Sequence, residues 1–96
     1  MYDSKIQSPE TDLLFRAILS LKNEEDCYRF FEDVCTIKEI RDIAQRLEVA
    51  RLLKSGETVA AIAQRTGAST TTVSRVNRCL HYGTGGYDLV MQEISK

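Results

Sequence analysis

Between Thr58 and Leu80, five small or branched residues, Ile62, Ala63, Gly67, Val73 and Val76, leave the chain few ways to fold. Gly67 follows a short apolar run, where a left-handed backbone that glycine adopts freely lets the chain reverse in a tight turn. Ala63 stands one turn earlier, where two short helices crossing at a wide angle touch and a larger side chain would push them apart. Val73 and Val76 are spaced to face inward. Thr58 and Ser69 are side chains of the kind that cap helix starts. The spacing therefore predicts a helix over about 59 to 66, a turn at Gly67-Ala68-Ser69 and a second helix running through Leu80, a helix-turn-helix over 58 to 80.

Around Val73 and Val76 the outward positions of the second helix are Thr70, Thr71, Thr72, Ser74, Arg75 and Arg78, hydroxyls and guanidinium groups with almost no apolar competition. An arginine presents two donors to the O6 and N7 of guanine, and a threonine offers a hydroxyl together with a methyl for thymine. Arg75 or Arg78 is the candidate base reader. Ser69 and Thr70 lie where free N–H groups suit a phosphate oxygen, and Lys54 and Arg65 are candidate phosphate clamps. The plainer alternative is an αα-hairpin that packs and does nothing else.

The formal net charge of −1 hides an asymmetry. Residues 1 to 45 carry 6 Lys/Arg against 10 Asp/Glu, and residues 46 to 96 carry 7 against 4, so the halves stand at −4 and +3. From 46 to 82 the basic residues are Arg46, Arg51, Lys54, Arg65, Arg75 and Arg78, opposed only by Glu48 and Glu57. Positive charge gathers on the same segment as the turn, which favours double-stranded DNA as the partner.

Elsewhere the pattern is helical throughout. Ser8-Pro9-Glu10-Thr11-Asp12 opens a helix over about 9 to 22, with Leu13, Leu14, Ala17, Ile18 and Leu21 at helical spacing and Lys22-Asn23 ending it. A second helix, about 24 to 35, carries Cys27, Phe30, Phe31, Val34 and Cys35 as a core stripe. Thr36-Ile37-Lys38-Glu39 fits a capping box, so a third helix begins at Ile37 and reaches Lys54 or Ser55. Its apolar residues lie on two faces, Ile40, Ile43, Ala44, Leu47 and Ala50 on one and Val49, Leu52 and Leu53 on the other, which predicts a central helix contacted twice. Gly83-Thr84-Gly85-Gly86 separates the recognition helix from a last one over about 87 to 94. The whole is an all-α, single-domain chain of 96 residues, short enough that dimerisation would help its core.

Several function classes are disfavoured. No run approaches the ~20 apolar residues that cross a bilayer and no leader pattern opens the chain, so a cytoplasmic protein without membrane contact is expected. Cys27, Cys35 and Cys79 form no metal-binding pair, Cys27 and Cys35 standing about 12 Å apart along one helix, and all three read as buried thiols. His81 is the single histidine and reads as a helix-end residue. With no nucleophile-base arrangement, and with a glycine-rich turn that lacks the lysine of a phosphate loop, an enzyme is not expected. A helical protein-interaction module that does not read DNA is the competing class.

Thr36-Ile37-Lys38-Glu39 through Gln45-Arg46-Leu47-Glu48-Val49, then Ile62-Ala63-Gln64-Arg65-Thr66-Gly67-Ala68-Ser69-Thr70-Thr71-Thr72-Val73-Ser74-Arg75, resemble the Trp repressor family. Gly83-Thr84-Gly85-Gly86-Tyr87 resembles its related-protein subgroup of the YerC/YecD type from Gram-positive bacteria. The resemblance implies a six-helix protomer in an intertwined homodimer, with 9–55 and 86–96 as the dimerisation core. It also implies a transcriptional repressor whose paired recognition helices enter successive major grooves about 34 Å apart. It further implies an effector pocket at Arg46, Thr72, Arg75, Val76 and Cys79. Two of these depart from the family, since Val76 stands where a glycine makes room for tryptophan and Cys79 where a serine meets its amino group. Tryptophan is therefore not the expected cofactor, and Arg46 and Arg75 read as serving structure or DNA phosphates. A different small effector, or none, stays open.

Overall fold

The computed structural model describes residues 2 to 95. Among these the chain forms six helices, α1 (Pro9–Leu19), α2 (Glu24–Val34), α3 (Ile37–Lys54), α4 (Val59–Thr66), α5 (Thr70–Tyr82) and α6 (Gly86–Ile94), and no strand. They belong to two compact units that divide after Ile37.

The first unit holds α1 and α2. Ser8 caps α1, its hydroxyl oxygen accepting the Thr11 N–H at 3.0 Å, and Pro9 fills the first helical position, where a missing N–H costs nothing. The helix stops at Leu19, short of the expected residue 22, because Ser20 takes the C-cap and its hydroxyl donates to the Ala17 carbonyl at 2.6 Å. Asn23, read from the sequence as the end of α1, instead opens α2 by accepting the Asp26 N–H at 2.8 Å. The expected core stripe of α2 is not enclosed within the chain. Phe30 and Phe31 are half-buried and meet edge to face at 5.3 Å, whereas Cys27 and Val34 are exposed. Neither helix has a buried residue, and Leu13 is 61% exposed.

The second unit contains the core. Val49, Ala50 and Leu52 from α3, Ile62 from α4, Ala68 from the turn and Val73 and Val76 from α5 are buried together. Leu53, Val59, Ala63, Leu80, Tyr87 and Met91 pack around them. The inward spacing of Val73 and Val76 is realised, at 0% and 2% exposure. Of the two apolar faces expected on α3, the Val49-Leu52-Leu53 face meets this core. On the other face only Ala50 is buried, and Ile43 and Ala44 are exposed within the single chain.

The turn between α4 and α5 is stitched by local hydrogen bonds. Gly67 has φ +75° and its N–H donates to the Ala63 carbonyl at 3.0 Å, the left-handed stop that the sequence demanded. The Thr66 hydroxyl donates to the Ile62 carbonyl at 2.7 Å and accepts the Ala68 N–H at 3.1 Å. Gln45 ties α3 to the same turn through its side-chain N–H₂ and the Thr66 carbonyl, 3.3 Å apart. At the far end α5 runs to Tyr82, two residues past Leu80, and the Gly83 N–H donates to the Cys79 carbonyl. A Cβ at residue 83 would run into that carbonyl oxygen, so the break after α5 needs a glycine for space.

Candidate nucleic-acid interface and adjoining cavity

Helix α5 has one buried edge and one free face. Val73 and Val76 hold it to the core, and Thr70, Thr71, Ser74, Arg75 and Arg78 are exposed. Ser69, also exposed, spends its hydroxyl on the helix start, accepting the Thr72 N–H at 3.0 Å. Its hydroxyl also meets that of Thr72 at 3.1 Å, leaving Thr72 half-buried beneath the free face. Among the described residues neither Arg75 nor Arg78 enters an ion pair. Two exposed guanidinium groups outside these ion pairs are available to an outside anion.

The two residues read as phosphate clamps stand differently. Lys54, at the C-terminal end of α3, lies 2.9 Å from Asp88 Oδ1 in the first turn of α6. That oxygen is buried and has no hydrogen bond of good geometry, so the ammonium serves it as a counter-charge. Arg65 is paired with Glu57 across the start of α4. The Arg65–Glu57 pair is partly exposed and contributes about 0 to 1 kcal/mol, little enough for a phosphate to compete, whereas removing Lys54 would leave the buried Asp88 oxygen unpaired.

Beside α5 the structure brings together the five residues of the expected effector pocket. Arg46 from α3 and Thr72, Arg75, Val76 and Cys79 from α5 line one cavity of about 170 Å³. A sixth lining residue, Tyr87 in the first turn of α6, was read from the sequence as a helix start and as the end of the glycine-rich subgroup stretch, not as part of the pocket. Nothing in the local pattern around Tyr87 marks it as a wall of this site, because its place there depends on how α6 returns past the glycine-rich break. A larger and more open groove of about 570 Å³ adjoins, sharing Arg46, Cys79 and Tyr87 and floored by Ile43, Leu47 and Val90.

The cysteines differ from the expectation of buried thiols. Cys27 and Cys79 are exposed and Cys35 is half-buried. Cys79 lines both hollows and stays open to solvent, and Cys27 lies on a helix that has no buried residue. No helix among the described residues is long and apolar enough to cross a membrane.

Comparison with known proteins agrees with this architecture. The chain is 52% identical over 96 residues to the Bacillus subtilis protein YerC, itself uncharacterized, covering 100% of this chain and 92% of that one. A TrpR-like protein from Eubacterium eligens superposes with a TM-score of 0.91 at 50% identity, over 97% of this chain and 96% of the other. A candidate Trp repressor from Staphylococcus aureus gives 0.90 at 46% identity, over 95% and 91%. The family model described as Trp repressor protein matches residues 9–95. With the six-helix order, the glycine-centred turn and these matches in agreement, the chain belongs to the Trp repressor family.

Proposed function

We propose that the protein is a sequence-specific, DNA-binding transcription regulator, acting as a cytoplasmic homodimeric repressor that places α5 in the major groove. One observation carries this reading: α5 is fixed to the core by Val73 and Val76 and turns Thr70, Thr71, Ser74, Arg75 and Arg78 to solvent, neither arginine in an ion pair among the described residues. Arg75 and Arg78 then read base edges and the hydroxyl residues, with Ser69 and Thr72 at the helix start, hold phosphates and position the helix. Arg65 exchanges Glu57 for a backbone phosphate as the duplex arrives, and Lys54 offers its remaining N–H donors to a phosphate while keeping Asp88. Dimerisation is supported by the apolar residues of α1, α2 and α6 that the single chain leaves open, among them Leu13, Leu19, Val34 and Leu89. The cavity beside Arg75 is the natural place for a small effector.

The test is a salt titration of binding to duplex DNA carrying a site selected from random sequence. A dimer that neutralises six or more phosphates loses about a thousandfold or more in affinity between about 50 and 200 mM salt, and its selected site is a palindrome. A flat salt response with no recovered site overturns the reading. In that event the uncovered apolar residues and the acidic N-terminal half would favour a protein-interaction module.

A further inference from the structure

Tyr82, the last residue of α5, carries an aromatic ring and is nonetheless 87% exposed. Its place around the helix explains the exposure. At ~100° per residue, Val73, Val76 and Leu80 form the edge of α5 that meets the core, and Thr71, Arg75, Arg78 and Tyr82 fall within about 60° of one another on the opposite side. Tyr82 therefore shares a face with both exposed arginines, neither of which enters an ion pair among the described residues. Its ring neighbours that of His81 at 6.2 Å, and among the described residues no hydrogen bond takes up its hydroxyl. His81 turns its own Nδ1 to the Asn77 carbonyl at 2.8 Å.

Position along the helix narrows what the phenol meets. A recognition helix reads base edges with its N-terminal residues, and at ~1.5 Å per residue Tyr82 stands about 18 Å beyond Thr70. The major groove is about 12 Å wide, so the far end of a helix seated by its first turns lies over the flanking backbone rather than over a base. A tyrosine hydroxyl is a neutral donor that suits a phosphate oxygen there, one turn beyond the charge of Arg78. A second copy of the chain fits this face less well, because a two-fold contact through it would bring the same guanidinium groups together from both sides. We infer that Tyr82 extends the DNA interface of α5, its hydroxyl donating a hydrogen bond to a backbone phosphate that flanks the recognised base pairs. The contact rests on the regulator reading and adds to it a sequence-independent element, one that sets affinity and not the choice of site.

The test is binding of the full chain to a labelled duplex carrying the selected site, followed by fluorescence anisotropy between about 50 and 200 mM salt. Tyr82→Phe keeps the ring and removes only the hydroxyl, on a side chain that the fold does not enclose. It weakens binding of the dimer about tenfold at every salt concentration, to the same extent on the selected duplex and on its single-base variants. The salt slope does not change, because a neutral hydroxyl displaces no counterion. Tyr82→Lys brings a cation to the same phosphate and steepens the slope by about one per protomer. Both variants keep the association state of the unmodified chain in sedimentation equilibrium. The inference is overturned if Tyr82→Phe binds as tightly as the unmodified chain, if its loss is confined to one base sequence, or if Tyr82→Lys leaves the slope unchanged. A changed association state would also overturn it and give the ring to a second copy. A flat salt response of the unmodified chain rejects the regulator reading and the contact with it, whereas a steep response with an unaltered Tyr82→Phe rejects the contact alone.

Discussion

The two compact units of this chain use similar fractions of apolar residues to different ends. From Lys38 onward, residues of α3, α4, α5 and the turn enclose Val49, Ile62 and Val73 at 0% exposure, a core complete within one protomer. Before it, α1 and α2 are amphipathic and properly capped, yet they bury nothing, and Leu13, Phe15, Leu19 and Val34 remain open. Burial of apolar area is what stabilises a domain of this size, so the first unit lacks its main source of stability until something covers it. The second unit encloses its own core, and the first leaves its apolar stripes uncovered within one chain.

The sharpest way to break this contrast is to damage the closed core. Ile62→Ala removes buried carbons from a fully enclosed site and should cost about 3 to 4 kcal/mol in denaturant unfolding, with α4 and α5 losing hydrogen-exchange protection first. If the cost is under about 1 kcal/mol, the core is not what holds the head together. Leu13→Ala combined with Leu14→Ala should act on association instead, weakening the proposed dimer by about 2 to 3 kcal/mol, or roughly a hundredfold, in sedimentation equilibrium. A double variant that dimerises normally would assign those side chains no partner.

Smaller effects sharpen the picture of the reading head. Arg78→Ala should reduce affinity for the selected duplex by about 1 to 2 kcal/mol and relax sequence preference at one position, read by competition between variant sites. Unchanged discrimination would reassign Arg78 to a phosphate. Ser69→Ala removes the hydroxyl that accepts the Thr72 N–H, and should cost about 1 kcal/mol of thermal stability, measured by circular dichroism. The smallest effect is expected on the open unit: the Arg29–Glu25 pair, 76% and 73% exposed, should show a coupling of about 0.3 kcal/mol in a double-mutant cycle. A coupling several times larger would mean that the assembled protein covers that surface.

The order of helices was legible because each boundary is local chemistry. Ser8-Pro9, Thr58, Gly67 and Ser69 act through hydrogen bonds or backbone angles within three or four residues, and all four perform the roles their side chains suggest. Asn23 was misassigned for an equally local reason, since an asparagine between two helical patterns serves either as an end or as a cap. The cavity was legible only through likeness to relatives, which gave five of its six lining residues and missed Tyr87. The fates of Lys54 and Arg65 were not legible at all: the spacing between Lys54 and Asp88 says nothing until α6 returns beside α3.

By itself the sequence determined where the helices begin, where the chain reverses at Gly67, and which residue types face outward on α5. These depend on torsional preference, capping and helical period, all short-range quantities. Only the tertiary structure decided which apolar stripes become core and which stay open, which cations are neutralised, and that Arg46, Arg75 and Tyr87 share one hollow. Those outcomes depend on which helices lie side by side, and residues forty positions apart carry no local mark of becoming neighbours.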